Sequence, residues 1–199
     1  FEGQEGCYKQ VVCYTNCDEV KLYINGKFVG SRGYRCPRYG AVRAWNEGFF
    51  TYATTNDLHL VWDVMYEPGI LRAEGYKNGQ LAAVKEVCTT QKAERLTVEC
   101  YDSDIKAGKL VQIELSARDA EGRFVPDACP VISCHVEGPA RLVGMDGGDL
   151  MDLSLYASPE RRMFNGLLLA AFMPEAEGEI KITFTAEGGL KGEVCIFAN

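Results

Sequence analysis

Short runs of alternating apolar and polar residues recur along this chain between turn signals, and no stretch sustains the spacing of an amphipathic helix. Strand side chains point alternately to opposite faces while a helix repeats every 3.6 residues, so this pattern predicts an all-β chain. Expected strands are Gln10–Thr15, Glu19–Ile24, His59–Met65, Ile70–Tyr76, Leu81–Val87, Arg95–Tyr101, Leu110–Arg118, Val131–Glu137, Phe164–Met173, Glu179–Ala186 and Glu193–Phe197. Asn25-Gly26 and Asn78-Gly79 suit the two central positions of two-residue hairpins, and Asp119 to Gly122 reads as another tight turn. The run Leu167 to Met173 has the length and flanks of a strand buried on both faces. Eleven strands exceed the seven of one minimal immunoglobulin-like sandwich, so two such β-sandwich domains in tandem are expected, residues 1–90 and 91–199, with the boundary near Cys88–Ala93.

A chain of 199 residues with 47% hydrophobic content can bury a core in each of two domains. The longest apolar stretch, Leu167 to Met173, is far too short to span a bilayer, so a soluble chain with no membrane partner is expected. Phe1 stands where an initiator Met would, which predicts an excised or processed piece. Residues 1–90 hold ten Lys and Arg against ten Asp and Glu, and residues 91–199 hold eleven against eighteen, so the formal charge of −7 lies in the second half. Such a surface repels phosphate backbones, and nucleic acid is not an expected partner.

Nine cysteines are an odd number in a chain too large to need disulfides in place of a core. Cys13, Cys88 and Cys195 lie in apolar strand-like segments, where each can serve as a small buried hydrophobe. Cys13 and Cys17 have no second close pair, and Cys129 and Cys134 have only His135 beside them, so no metal site and no cofactor is expected. Unpaired thiols favour a reducing compartment, so a cytoplasmic location is expected.

Residues able to do chemistry read as structural. Trp62, centred in an alternating strand, is expected to fill a sandwich core. His59 and His135, the only histidines, read as packed or surface imidazoles, and Asp18-Glu19, Asp102 with Asp104, and Glu175 with Glu177 and Glu179 as solvated faces. Asp146, Asp149 and Asp152 recur at intervals of three among glycines, but an EF-hand's intervals of two and distal glutamate are missing. A turn capped by Asp side chains is expected instead. The long connection Ser31 to Asp57 is different: Tyr34, Tyr39, Trp45, Phe49, Phe50 and Tyr52 interleave with Arg32, Arg35, Arg38 and Arg43. Aromatic faces stack on sugar rings and arginine pairs with carboxylates, yet the same residue types are enriched at protein interfaces. Candidate sugar or domain-docking contacts are therefore Tyr34, Arg35, Tyr39, Arg43, Trp45, Phe49 and Tyr52.

The segments Tyr14 to Lys27, Trp62 to Gly69 and Leu71 to Gly79, followed by Asp119 to Pro126, Val136 to Asp146 and Arg161 to Gly166, resemble the C-terminal region of glycoside hydrolase family 2 β-galactosidases. In that family a (β/α)8 barrel performs hydrolysis and immunoglobulin-like sandwiches follow it. The resemblance covers nearly the whole chain and implies those sandwiches without their barrel. Both catalytic glutamates of the family belong to the barrel and no segment here matches their motifs, so no catalytic residue is expected. The implied partners are the chain's own upstream catalytic domain and a galactoside-type carbohydrate, with oligomerisation through the parent enzyme. At Asp146-Gly147-Gly148-Asp149 the chain departs from the family pattern, placing Gly147 where Asn is usual. Two other functions fit the same residues: a carbohydrate-binding module, and an adhesive pair of immunoglobulin-like domains.

Overall fold

The computed structural model describes residues 4–33, 39–44, 48–53 and 59–199, with side chains placed in 4–33 and 59–199. Every regular element among them is a strand, as the period-two pattern predicts. Two compact units, Phe1–Thr89 and Thr90–Asn199, divide the chain.

The first unit contains β1 (Tyr8–Cys13), β2 (Glu19–Ile24), β3 (Lys27–Gly33), β4 (Tyr39–Ala44), β5 (Gly48–Ala53), β6 (Leu60–Met65), β7 (Ile70–Lys77) and β8 (Gln80–Cys88). A four-stranded antiparallel sheet has the order β3-β2-β7-β8, and β1 pairs with β6. Asn25 and Gly26, and Asn78 and Gly79, all take positive φ and turn β2 into β3 and β7 into β8, as their sequence predicts. Val20 and Leu22 of β2 meet Leu60, Trp62 and Val64 of β6 in the core, and Trp62 is 1% exposed. The Arg32 guanidinium lies 5.9 Å from the Trp62 ring centre.

The second unit contains β9 (Arg95–Cys100), β10 (Val111–Arg118), β11 (Val131–Glu137), β12 (Ala140–Asp146), β13 (Glu160–Arg162), β14 (Leu167–Pro174), β15 (Gly178–Ala186) and β16 (Lys191–Ala198). Its sheets, β12-β14-β10-β9 and β13-β11-β15-β16, face each other. Ile113 and Leu115 of β10 and Leu168 and Phe172 of β14 share one core with Ile132, Ile180, Ile182 and Phe184 from the opposite sheet. Phe172 and Phe184 meet edge to face with centroids 6.3 Å apart. Each such side chain, fully buried, contributes about 1.5–3 kcal/mol.

Several expectations change. The run Leu167 to Met173 is buried on one face only: Leu168, Ala170 and Phe172 point inward, whereas Leu167 and Leu169 are exposed, because an antiparallel sheet can leave one face to solvent. Cys195 is exposed for the same reason of alternation; Val194 and Ile196 on either side pack inward. Cys17, which the pattern did not single out for burial, is the buried thiol among the described residues of the first unit. Five strands went unforeseen. The hairpin at Asn25-Gly26 enforces β3 despite its Gly30, Ser31 and Gly33; β12 carries a register shift between Leu142 and Gly144; and β13 spans only Glu160–Arg162. The remaining two, β4 and β5, pair within the segment expected to be a plain connection.

Candidate functional site

Of the seven candidate contacts, Tyr34, Arg35 and Trp45 lie outside the described residues. The other four fall in the β4–β5 ribbon, where Tyr39 pairs with Ala53, Gly40 with Tyr52 and Arg43 with Phe49.

Elsewhere, the side chains capable of chemistry are held by neighbours. Asp119, fully buried, accepts from the Arg123 amide at 2.8 Å and the Gln91 amide at 3.3 Å, with the Arg123 guanidinium 3.8 Å away. Burial pushes its carboxyl up, but these donors outweigh burial and hold it below the usual carboxylate range. Asp152 is lowered by hydrogen bonds from Ser154, Glu74 by Tyr76 and Arg72, and Glu193 by Lys191 and Lys181. A general acid for glycoside hydrolysis needs the opposite shift, and a retaining pair needs carboxyls about 5–5.5 Å apart. Burial raises the Cys134 thiol to about 12, which keeps it protonated and inert. His59 stacks obliquely on Tyr14 at 5.5 Å, and His135 sits exposed on β11.

An open groove of about 300 Å³ in the first unit is bordered by Tyr8, Lys27, Asp63, Met65 and Glu67. Its carboxylates Asp63 and Glu67 are solvent-exposed.

The most elaborate local structure lies between β12 and β13. Asp146 accepts from the Gly148 amide, Asp149 from Met151 and Asp152 from Ser154, each at 2.9 Å, making three successive Asx turns of the kind expected from their spacing. Arg161 of β13, 1% exposed, gathers these turns: Nη1 donates to the Ser154 carbonyl at 2.6 Å and its hydroxyl at 3.0 Å. Its Nε lies 3.2 Å from Asp152 Oδ2, its Nη2 lies 3.7 Å from Asp146 Oδ1, and the guanidinium stacks 4.5 Å over the Tyr156 ring. The Met145 amide donates to the Tyr156 carbonyl at 2.8 Å and closes the loop onto β12. Gly147 is sterically required, since a Cβ there would stand 2.8 Å from the Arg162 carbonyl oxygen. An Asn at this position would therefore clash. On this frame Leu150 (96% exposed), Met151 (84%), Leu153 (94%) and Leu155 (78%) project outward. The sequence reading found the Asp turns but not these leucines or Arg161; the available signal was apolar residues placed between the three spaced aspartates.

Fold and local geometry define a tandem pair of all-β units, the second a two-sheet sandwich carrying a braced loop. Residues 6–83 match a domain of unknown function, DUF4982, and residues 95–194 match glycoside hydrolase family 2 C-terminal domain 5. The chain belongs to glycoside hydrolase family 2, in its C-terminal domain region. It is 28% identical over 180 residues to the beta-galactosidase BoGH2A of Bacteroides ovatus, covering 88% of this chain and 19% of that protein. A beta-glycosidase from Bacteroides vulgatus superposes over 100% of this chain and 23% of its own, with a TM-score of 0.78 at 29% identity. A family 2 glycosyl hydrolase from Bacteroides cellulosilyticus shares the fold over 100% of this chain and 24% of its own, with a TM-score of 0.83 at 24% identity. The chain thus spans about a fifth of the Bacteroides ovatus relative.

Proposed function

We propose that this chain is a non-catalytic accessory region of a larger, β-galactosidase-like glycoside hydrolase, supporting a catalytic barrel that lies elsewhere in the same polypeptide. The observation that carries this reading is the match of the entire chain to less than a quarter of the Bacteroides vulgatus beta-glycosidase, with the remainder of that enzyme outside the match. The downward shifts of Glu74, Asp119, Asp152 and Glu193 support it, because a proton donor to a leaving sugar oxygen must hold its proton near neutral pH. The contacts proposed for the first unit are Tyr34, Arg35, Tyr39, Arg43, Trp45, Phe49 and Tyr52, as docking or sugar-side residues. The test compares hydrolysis of nitrophenyl β-galactoside and β-glucuronide by the 199-residue chain and by the full-length gene product. The expected result is turnover by the full-length product alone; turnover by the isolated chain would refute the reading. Calorimetry of the chain with galactose and lactose separates the two roles of the first unit, since saturable heat abolished by Trp45→Ala identifies sugar contact.

A further inference from the structure

We infer that the loop Leu150 to Tyr156 is the docking element of the second unit, and that its occupant is an apolar surface on the larger part of the same polypeptide. The inference rests on the reading just proposed and names the contact through which that larger part is held.

The loop presents leucine and methionine side chains almost wholly to water, with Leu150, Met151, Leu153 and Leu155 between 78% and 96% exposed. Four large apolar side chains this exposed within six residues exceed the scattered apolar exposure of an ordinary surface and point to an interaction site. It is also built in advance. Three Asx turns and the buried Arg161 fix the backbone before any partner arrives, so little conformational entropy remains to be lost on association. The carboxylates of Asp146 and Asp152 face Arg161, so what the loop offers outward is mainly its aliphatic side chains, with Ser154 and Tyr156 beside them.

This chemistry selects the occupant. A sugar needs a flat aromatic platform flanked by outward hydrogen-bonding groups, and here a single ring, Tyr156, 60% exposed with Arg161 over one face, stands among four exposed aliphatic side chains that offer no hydrogen bonds. An anionic lipid surface is disfavoured by the excess of eighteen acidic over eleven basic residues in 91–199. A second free copy is disfavoured by size, because one side of a single loop buries well under the ~800 Å² per partner of a stable interface between separate molecules. A small patch suffices when both surfaces belong to one polypeptide, where the effective concentration reaches the millimolar range. Relatives that match this chain over all of its length carry about three-quarters of their own residues outside the match, so a body large enough to present such a surface accompanies the matched region in them.

Hydrogen exchange followed by mass spectrometry tests this directly, on the 199-residue chain and on the full-length gene product. Peptides covering Leu150 to Tyr156 should exchange at least tenfold more slowly in the full-length product, and the double variant Leu153→Asp, Leu155→Asp should remove that difference. Because both side chains are exposed, the variant folds, and unchanged exchange in β10 and β15 verifies it. Equal loop exchange in the two wild-type proteins overturns the inference. A concentration-dependent dimer of the 199-residue chain that Leu153→Asp dissociates also overturns it, as does binding of the chain to phosphatidylcholine vesicles that Leu153→Asp abolishes. The hydrolysis assay keeps the two proposals apart. Activity without loop protection defeats only the docking assignment, whereas protection without activity defeats the glycosidase reading and retains docking onto a larger body.

Discussion

At the scale of residues, Trp62, Arg161 and Asp119 show three ways of burying a demanding side chain. Trp62 is a volume effect: its ring joins β2 and β6 in the first unit, so Trp62→Ala should cost about 3–5 kcal/mol through lost burial and the cavity left behind. A urea titration followed by far-ultraviolet dichroism would measure it. Arg161 is a geometric effect, since its planar fork reaches Ser154, Asp152 and Asp146 at once. Arg161→Lys keeps the charge but not the fork, and is expected to speed amide exchange at Gly148, Met151 and Ser154 severalfold while β10 stays protected. Asp119 is an electrostatic effect with a definite sign. Its folded value lies below the ordinary one, so its contribution is complete above about pH 4 and is lost as pH falls through the lowered value. Melting temperatures of the parent and Asp119→Asn, measured from pH 7 to pH 2, should differ by a constant margin above about pH 4 and converge below it.

At the scale of elements, turns decide more than strand propensity does. Asn165 and Gly166 take positive φ, and Phe164 and Leu167 exchange backbone hydrogen bonds of 3.0 Å, forming a third Asn-Gly turn ahead of β14. The signal was as plain there as at Asn25-Gly26, but the expected strand beginning at Phe164 absorbed it. A Cβ on Gly166 would stand 2.3 Å from the Val125 carbonyl oxygen, while one on Gly148, with similar φ, would meet nothing within 4 Å. Gly148→Ala should therefore cost about 1 kcal/mol from backbone conformation alone, and Gly166→Ala clearly more. Thermal denaturation of the pair isolates the steric part. Strand β8 is the opposite case, an edge with Leu81, Val84 and Val87 exposed and only Lys85 and Glu86 to discourage strand addition.

At the scale of the whole molecule, the two units differ in how much core each closes. In the second, both sheets contribute inner faces to one continuous cluster. In the first, the β1–β6 pair stacks Leu60, Trp62 and Val64 against the sheet that contains β2, and the cluster is smaller among the described residues. Residues 90–199 produced alone should therefore unfold cooperatively in urea, at a higher midpoint than residues 1–89. This asymmetry accounts for what was legible beforehand. Strands β14 and β15 of the second unit alternate cleanly because water lies on one side and a full core on the other. The segment 31–57 carries aromatic and arginine residues whose types suit either a sugar or a protein, and composition alone cannot choose between them.

The linear order of residues determined the all-β class, eleven of the sixteen strands among the described residues and two of the Asn-Gly turns, because alternation and turn chemistry are local properties that survive without a fold. It also determined the acidic second half and the three capped aspartate turns. Tertiary structure decided which face of β14 is buried, which cysteine is enclosed, and that Arg161 braces an apolar loop running out from β12. Those outcomes depend on which segments meet across space. No spacing along the chain brings Arg161 together with Asp146, Asp152 and Ser154; only the return of β13 alongside β11 does.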